Sequence, residues 1–242
     1  MAEFDPRLYG ARWAELYDEW HAGMMDDAGA VATLAELAAG GPLLELAVGT
    51  GRLAVPLADK GLEVVGVDVS EEMLAQLNKK SGAVTTVAGD MTTVRLEREF
   101  AVVFVAFGSI FVLPTQEDQV RLFRNAAAHL RPGGCFVLET WVTSGRKRGE
   151  ASSFTVSKVE NDRLTVSAGQ LDPVTQFYNG TWIVFEPGGT RFYPISGRNV
   201  THGEMDLMAR LAGLELENRW GDWHGAPFTA ESRLHISVYR KP

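Results

Sequence analysis

The stretch Leu43-Leu44-Glu45-Leu46-Ala47-Val48-Gly49-Thr50-Gly51-Arg52-Leu53-Ala54 decides how this chain is read. Its apolar run, Leu43 to Val48, has the pattern of a strand buried on both faces, as in a parallel sheet. Gly49 and Gly51 then permit a sharp turn that residues with a Cβ resist. A helix follows at once, because Leu53, Ala54, Leu57 and Ala58 repeat at helical spacing and Lys60-Gly61 supplies a cation and a C-cap glycine. A strand, a glycine turn and a helix in succession bring bare backbone N–H groups and a helix N-terminus against a nucleotide-like ligand. A tight turn with no ligand is the bland alternative, and the following segments decide between them.

Gly49-x-Gly51-x-x-Ala54 fits the dinucleotide pattern, and Asp68 ends the next strand roughly 20 residues on, the interval for an acid that accepts from ribose hydroxyls. NAD sites and S-adenosylmethionine sites share that acid, so an NAD-dependent oxidoreductase remains an alternative at this turn. The discriminating residues are Glu45 inside the first strand, Gly89-Asp90-Met91 after the third, and Leu130-Arg131-Pro132-Gly133-Gly134 before the fifth. Together they resemble the class I S-adenosylmethionine-dependent methyltransferase family, whose first motif is commonly E/D-x-G-x-G-x-G. Ala47 stands where its first glycine usually falls. The resemblance runs from about Leu43 to Lys241.

The resemblance implies a Rossmann-like α/β fold, a seven-stranded mostly parallel sheet closed by an antiparallel hairpin. It implies S-adenosyl-L-methionine as cofactor, with S-adenosyl-L-homocysteine as product. Glu45, Ala47, Gly49 and Gly51 would form the first motif, and Asp68 would hold the ribose. Val69 and Met73 would flank the adenine, Asp90 would accept its amino group, and the Met91 backbone would meet the ring nitrogen. Phe107 and Gly108 occupy the position facing the transferable methyl. Tyr17, with Tyr9 as second choice, resembles a lid tyrosine near the methionine end.

The chain has 242 residues, enough for one α/β domain with a small appended lobe. A net charge of −8 gives no basic stripe for a phosphate backbone, so nucleic acid is not expected as a partner. One cysteine, Cys135, excludes an intramolecular disulfide and fits a reducing cytoplasm. It reads as a small buried hydrophobe. Met1 to Pro6 lacks the basic and apolar pattern of a signal segment. Phe100 to Pro114 is apolar but falls short of the ~20 residues a membrane helix needs. A soluble cytoplasmic protein is therefore expected, with a homodimer left open.

Residues 8–39 read as helices with two stripes, Trp13-Leu16-Tyr17-Trp20 and Val31-Leu34-Ala35-Ala38. Glu63–Asp68 and Ala83–Ala88 give the second and third strands, and Ser70 is a good N-cap between them. Ala101–Ala106 is the most apolar strand, hence central, with Phe107-Gly108-Ser109 at its carboxyl end, where open α/β sheets place ligands. Thr115 caps a helix whose expected stripe is Val120, Phe123, Ala127 and Leu130, leaving His129 a structural residue. A turn at Arg131–Gly134 leads to a fifth strand, Cys135–Trp141, and Arg146-Lys147-Arg148 reads as a solvated loop. Four β-rich runs then alternate with turn signals up to about Asn199, which predicts an antiparallel meander inserted in the α/β domain. Helical spacing returns at Met205, Met208, Ala209, Leu211 and Ala212, and two strands follow. The expected division is 1–141, lid helices and the cofactor half; 142–199, the inserted lobe over the acceptor; and 200–242, the closing helix and hairpin.

The combination of aromatic N-terminal segment and inserted meander is similar to bacterial small-molecule N- and O-methyltransferases of secondary metabolism. That likeness implies methyl transfer to an amino or hydroxyl group of a small-molecule acceptor in natural-product biosynthesis. A protein that binds the cofactor and assists a non-methylating reaction is the other alternative. Methyl transfer from a sulfonium needs in-line positioning and exclusion of water more than a triad. A hydroxyl acceptor benefits from a base, for which His21, His202 and His224 are the candidates, each with a structural or surface reading beside it. Ser109, Trp141, Tyr178 and Trp182 are the candidates for binding an acceptor. Phe192, Tyr193, Trp220, Trp223 and Phe228 extend the aromatic supply, half of which should fill the small lobe's own core. No spacing suggests a metal site.

Overall fold

The computed structural model describes residues 10, 13–21, 23–143 and 152–242. Tyr9, Met1 to Pro6 and the Arg146-Lys147-Arg148 run lie outside them. In chain order, α1 (Tyr17–His21) and α2 (Asp27–Ala38) precede β1 (Leu43–Leu46), α3 (Ala54–Asp59), β2 (Val64–Asp68), α4 (Glu71–Lys80) and β3 (Thr85–Ala88). Then come β4 (Phe100–Val105), a 3-10 turn at Ser109–Val112, α5 (Gln116–His129) and β5 (Leu130–Trp141). Four further strands follow, β6 (Ser152–Val159), β7 (Leu164–Leu171), β8 (Phe177–Glu186) and β9 (Gly189–Arg198). The chain closes with α6 (His202–Leu211), β10 (Glu215–Trp220) and β11 (Leu234–Arg240).

Seven strands form one sheet in the order β10-β11-β5-β4-β1-β2-β3. The pairs from β5 to β3 are parallel, and β11 is antiparallel to both β5 and β10. Every residue of β1 and β4 is buried, which accords with a sequence apolar at every position but Glu45. The pleat divides that run between two cores. Leu43, Phe104 and Val137 pack with Leu34 of α2, Leu57 of α3 and Leu77 of α4. Leu44, Val103 and Phe136 pack with Phe123 of α5 and Met205 and Met208 of α6. Helices thus cover both faces, and β1 and β4 share the middle with their carboxyl ends side by side.

The helix ends follow local chemistry. Ser70 and Thr115 accept from the amides of Met73 and Asp118 as expected, and Thr201 with Glu204 forms a capping box not anticipated from the sequence. The α5 stripe is corrected: Val120 is half-buried, while Gln119, Leu122, Phe123 and Ala126 face the core. Gln119 can lie inside because its amide donates to the Ile110 and Arg198 carbonyls. His129 is buried, with Nδ1 on the Asn125 carbonyl and Nε2 accepting from the Leu96 amide. Leu211, one of the residues at helical spacing, is exposed at the helix end. The Arg131–Gly134 turn is absorbed into β5, where the Gly133 amide donates to the Lys241 carbonyl.

The meander forms a separate four-stranded sheet, β6-β7-β8-β9, antiparallel throughout. Its last strand docks on the turn after β4. Gly197 passes so close that an added Cβ would lie 1.7 Å from the Phe111 carbonyl oxygen, and the Arg198 amide donates to the Leu113 carbonyl at 3.1 Å. Only a residue without a side chain allows that approach. The small sheet is thereby held beside the carboxyl ends of the parallel strands.

Ala47 has φ +62°, a left-handed conformation at the position where a glycine was the expected residue. L-residues resist that region by roughly 1–2 kcal/mol. Ala47→Gly should therefore raise stability by about 1 kcal/mol, less whatever the added chain freedom of glycine costs the folded state; urea unfolding measures it, and a destabilised variant would show that the Ala47 methyl's packing outweighs the strain.

Candidate active site

The cleft begins at the glycine turn. The Gly49 amide donates to Asp68 Oδ2 at 2.8 Å and the Ser70 amide to Oδ1 at 2.9 Å, which fixes the carboxylate at the carboxyl end of β2. Burial raises the Asp68 pKa, partly offset by those amides. Tyr17, Ala47, Gly49, Asp68, Val69, Met73, Asp90 and Met91 line one cavity of about 130 Å³, along with Ser70, Gly89, Ser109 and Val112. These residues come from α1 and from the ends of β1, β2 and β3, the position expected for a ligand of an open α/β sheet. Asp90 Oδ1 accepts from both the amide and the hydroxyl of Thr92 at 2.7 Å, which orients the carboxyl.

Four of the proposed cofactor residues lie elsewhere. Glu45 sits behind the cleft, buried, with Oε2 lacking a hydrogen-bond partner among the described residues. Desolvation pushes its carboxyl up to about 8, against the pull of Arg52. Gly51 faces α4, where an added Cβ would meet Leu77 at 2.8 Å, so its smallness serves packing. Phe107 and Gly108 line a second, adjoining cavity.

That second cavity has a volume of about 490 Å³. Ser109, Trp141, Tyr178 and Trp182 all line it, together with Trp13, Tyr17, His21, Phe111, Ser196 and Asn199. Of the three histidines, only His21 is there. His202, the first residue of α6, packs against Phe228 and His235, with ring centroids 5.3 and 6.1 Å away. His224 is exposed, and its Nε2 lies 2.7 Å from Asp26 at the start of α2. Tyr193 fills the core between lobe and N-terminal segment with Trp13 and Val184, whereas Phe192 is exposed.

Two arrangements escaped the sequence reading. Glu139 is 1% exposed and accepts from Trp223 Nε1 at 2.6 Å, Arg52 Nη2 at 3.0 Å and the Phe107 amide at 2.8 Å. Its own carbonyl accepts from the Gly108 amide at 3.0 Å. An acid within the apolar run Cys135–Trp141 was the available signal. The second arrangement fastens α1: Asp18 accepts from Thr50 Oγ1 at 2.6 Å and pairs with Lys80, which also donates to the Thr50 carbonyl at 2.9 Å.

Residues 43–134 match the protein family described as a methyltransferase domain. A cypemycin N-terminal methyltransferase from a Streptomyces species is 32% identical over 243 residues, covering 98% of this chain and 99% of that protein. The solved CcbJ methyltransferase from Streptomyces caelestis superposes with TM-score 0.90 at 38% identity, covering 98% of this chain and 99% of that one. An amino pentose methyltransferase of calicheamicin biosynthesis from Micromonospora echinaspora, solved with S-adenosylmethionine bound, shares the fold with TM-score 0.69 at 22% identity over 100% of each chain. This chain belongs to the S-adenosylmethionine-dependent methyltransferases. The oxidoreductase and non-methylating alternatives give way.

The cleft fits S-adenosyl-L-methionine by its donor set. Asp68 offers a carboxylate for hydroxyl groups, Asp90 a second polar end, and Val69 and Met73 apolar walls between them. The unpartnered Oε2 of Glu45 adds a buried polar atom behind the glycine turn. Among the described residues no group of three or more His, Cys, Asp or Glu side chains could hold a metal ion, and no helix is long and apolar enough to cross a membrane.

Asp68→Ala should weaken S-adenosylhomocysteine binding by about 1–3 kcal/mol, the cost of losing hydrogen bonds to a charged group. Calorimetry checks it, and undiminished affinity would remove Asp68 from the site. Asp18→Ala should speed amide hydrogen exchange across residues 13–21 while moving global stability by only about 0–1 kcal/mol, as for partly exposed ion pairs. Unchanged exchange there would show that the segment is held by the Trp13 packing alone.

Proposed function

We propose that the chain methylates an amino group of a small amphipathic acceptor seated in the aromatic cavity. The observation that carries this reading is that Tyr17, Ser109 and Val112 line both cavities, so a bound acceptor and the cofactor cleft share one boundary. In this reading the first cavity holds S-adenosylmethionine, with Asp68 on the ribose, Asp90 on the adenine amino group, and Val69, Met73 and the Met91 backbone around the ring. Glu45 supports the glycine turn from behind. The cofactor, when bound, supplies a methyl group already activated on a sulfonium.

The protein's share is positioning and exclusion of water. Phe107 lies edge-on to Trp141, with centroids 5.1 Å apart, and Tyr17 edge-on to Phe107 at 6.4 Å, which puts aromatic faces around the shared boundary. Such faces attract an ammonium or sulfonium by roughly 0.5–2 kcal/mol each, depending on desolvation. Tyr17, with its hydroxyl held neutral by burial, serves as part of the lid rather than as a base. Tyr178 and Trp182 come from β8, so the small sheet acts as roof of the acceptor site, and Ser109 and Trp141 form its floor. The named relatives favour nitrogen over oxygen, since one is an N-terminal and another an amino pentose methyltransferase. A cytoplasmic setting accords with one buried cysteine, whose thiol burial pushes up to about 11.

Incubation with S-adenosylmethionine and a panel of apolar-bodied primary and secondary amines, matched alcohols and nucleotide-linked amino sugars tests the reading by product mass. Methylated amines are expected; methylation confined to the alcohols would overturn the choice of nitrogen.

A further inference from the structure

An amine in water near neutral pH is mostly an ammonium ion, which has no lone pair to offer. Some group must take its proton before methyl transfer. His21 has the geometry for that task. Its ring lies between Tyr17, 4.2 Å away between centroids, and the edge-on Phe107 at 5.0 Å, and it lines the acceptor cavity. Nδ1 is 2.7 Å from the Tyr17 carbonyl. A carbonyl only accepts, so Nδ1 carries the hydrogen and the neutral ring's lone pair is on Nε2. Among the described residues Nε2 has no hydrogen-bond partner.

The groups facing the ring are the Tyr17 carbonyl and Asp18 on its own helix and Arg52 at the start of α3. Burial lowers its pKa most, and Arg52 lowers it further, against the opposing carbonyl and Asp18. A lowered value leaves the ring uncharged at neutral pH, able to accept a proton. The hydroxyls of Ser109, Ser196, Tyr17 and Tyr178 and the amide of Asn199 also line the cavity, and as neutral groups none has comparable basicity.

We infer that Nε2 of His21 takes the proton from the acceptor's ammonium group. The inference rests on the amine reading above. One N–H bond of the ammonium breaks, its electron pair stays on nitrogen, and the proton joins Nε2 to give an imidazolium. The freed pair then forms the bond to the methyl carbon, while the carbon–sulfur pair stays on sulfur as a neutral thioether. The imidazolium returns its proton to solvent. Because His21 is on α1, the base arrives with the segment that Asp18 fastens to the glycine turn.

The test compares the wild-type protein with His21→Gln on an amine from the panel. At pH 7 the variant should lose roughly 10²-fold or more in kcat/KM, the usual range for a positioned base. The deficit should narrow as pH approaches about 10, where solution itself supplies neutral amine. S-adenosylhomocysteine affinity should be unchanged, which reports an intact fold. Nitrogen-15 NMR of the wild-type protein should show His21 protonated on Nδ1 and bare on Nε2. A loss of equal size at every pH, equal rates for both proteins, or a proton on Nε2 would overturn the role of His21. Absence of product from every amine would instead overturn the amine reading, and this inference with it.

Discussion

A buried carboxylate must be paired or it costs several kcal/mol, and Glu139 meets that demand with three donors from three parts of the chain. Arg52 comes from the glycine turn, Phe107 from the end of the central strand, and Trp223 from the segment between β10 and β11. Arg52 in turn pairs with Asp27 at the start of α2, and Thr33 of that helix donates to the Trp223 carbonyl at 2.8 Å. Removing any one member leaves a charge or an N–H buried without its partner. The network therefore behaves as a unit, and the unit fixes the two turns that bound the site. Phe107 keeps φ +54°, a strained value for a residue with a side chain, because both its own amide and that of Gly108 are held by Glu139.

The parallel core could be read from the sequence because its signals are local. Strands buried on both faces are apolar almost throughout, and Ala101–Ala106 is wholly so, while Leu43–Val48 is broken only by Glu45. The meander was equally readable, since Glu160-Asn161-Asp162, Leu171-Asp172-Pro173 and Pro187-Gly188-Gly189 mark its turns at close intervals. Periodicity also located α5, but it misassigned Val120 and gave no place to Gln119. The burial of Gln119 depends on carbonyls of Ile110 and Arg198, the second distant in sequence. Leu211 shows another limit of spacing: it is exposed although Ala212 and Leu214, just beyond it, pack into the core.

The site divided along the same line. Asp68, Asp90 and the glycine turn lie at strand ends that sequence order alone predicts, and they converge on one cleft. Side chains whose position depends on packing between distant segments could not be sorted. His21, His202 and His224 look alike in sequence, yet α1, α6 and the loop after β10 carry them to three separate surroundings. Tyr178 and Tyr193 belong to paired neighbouring strands, and one lines a cavity while the other fills a core. Tyr193 pairs with Trp182, four residues from Tyr178, so both tyrosines share one face and strand alternation cannot separate them; what separates them is which part of that face the N-terminal segment covers.

That segment gives the architecture its economy of parts. Trp13 packs with Met73 of α4 and with Val184 and Tyr193 of the small sheet, so one short stretch bridges the two sheets. Tyr17 borders both cavities, and His21, one helical turn later, reaches only the larger. Residues four apart share a helix face, so a single face presents first the boundary and then the acceptor side. The fastening at Asp18 joins this face to Thr50, a member of the glycine turn itself. Asp18 and Thr50 therefore tie the turn that borders the smaller cavity to the helix that borders both.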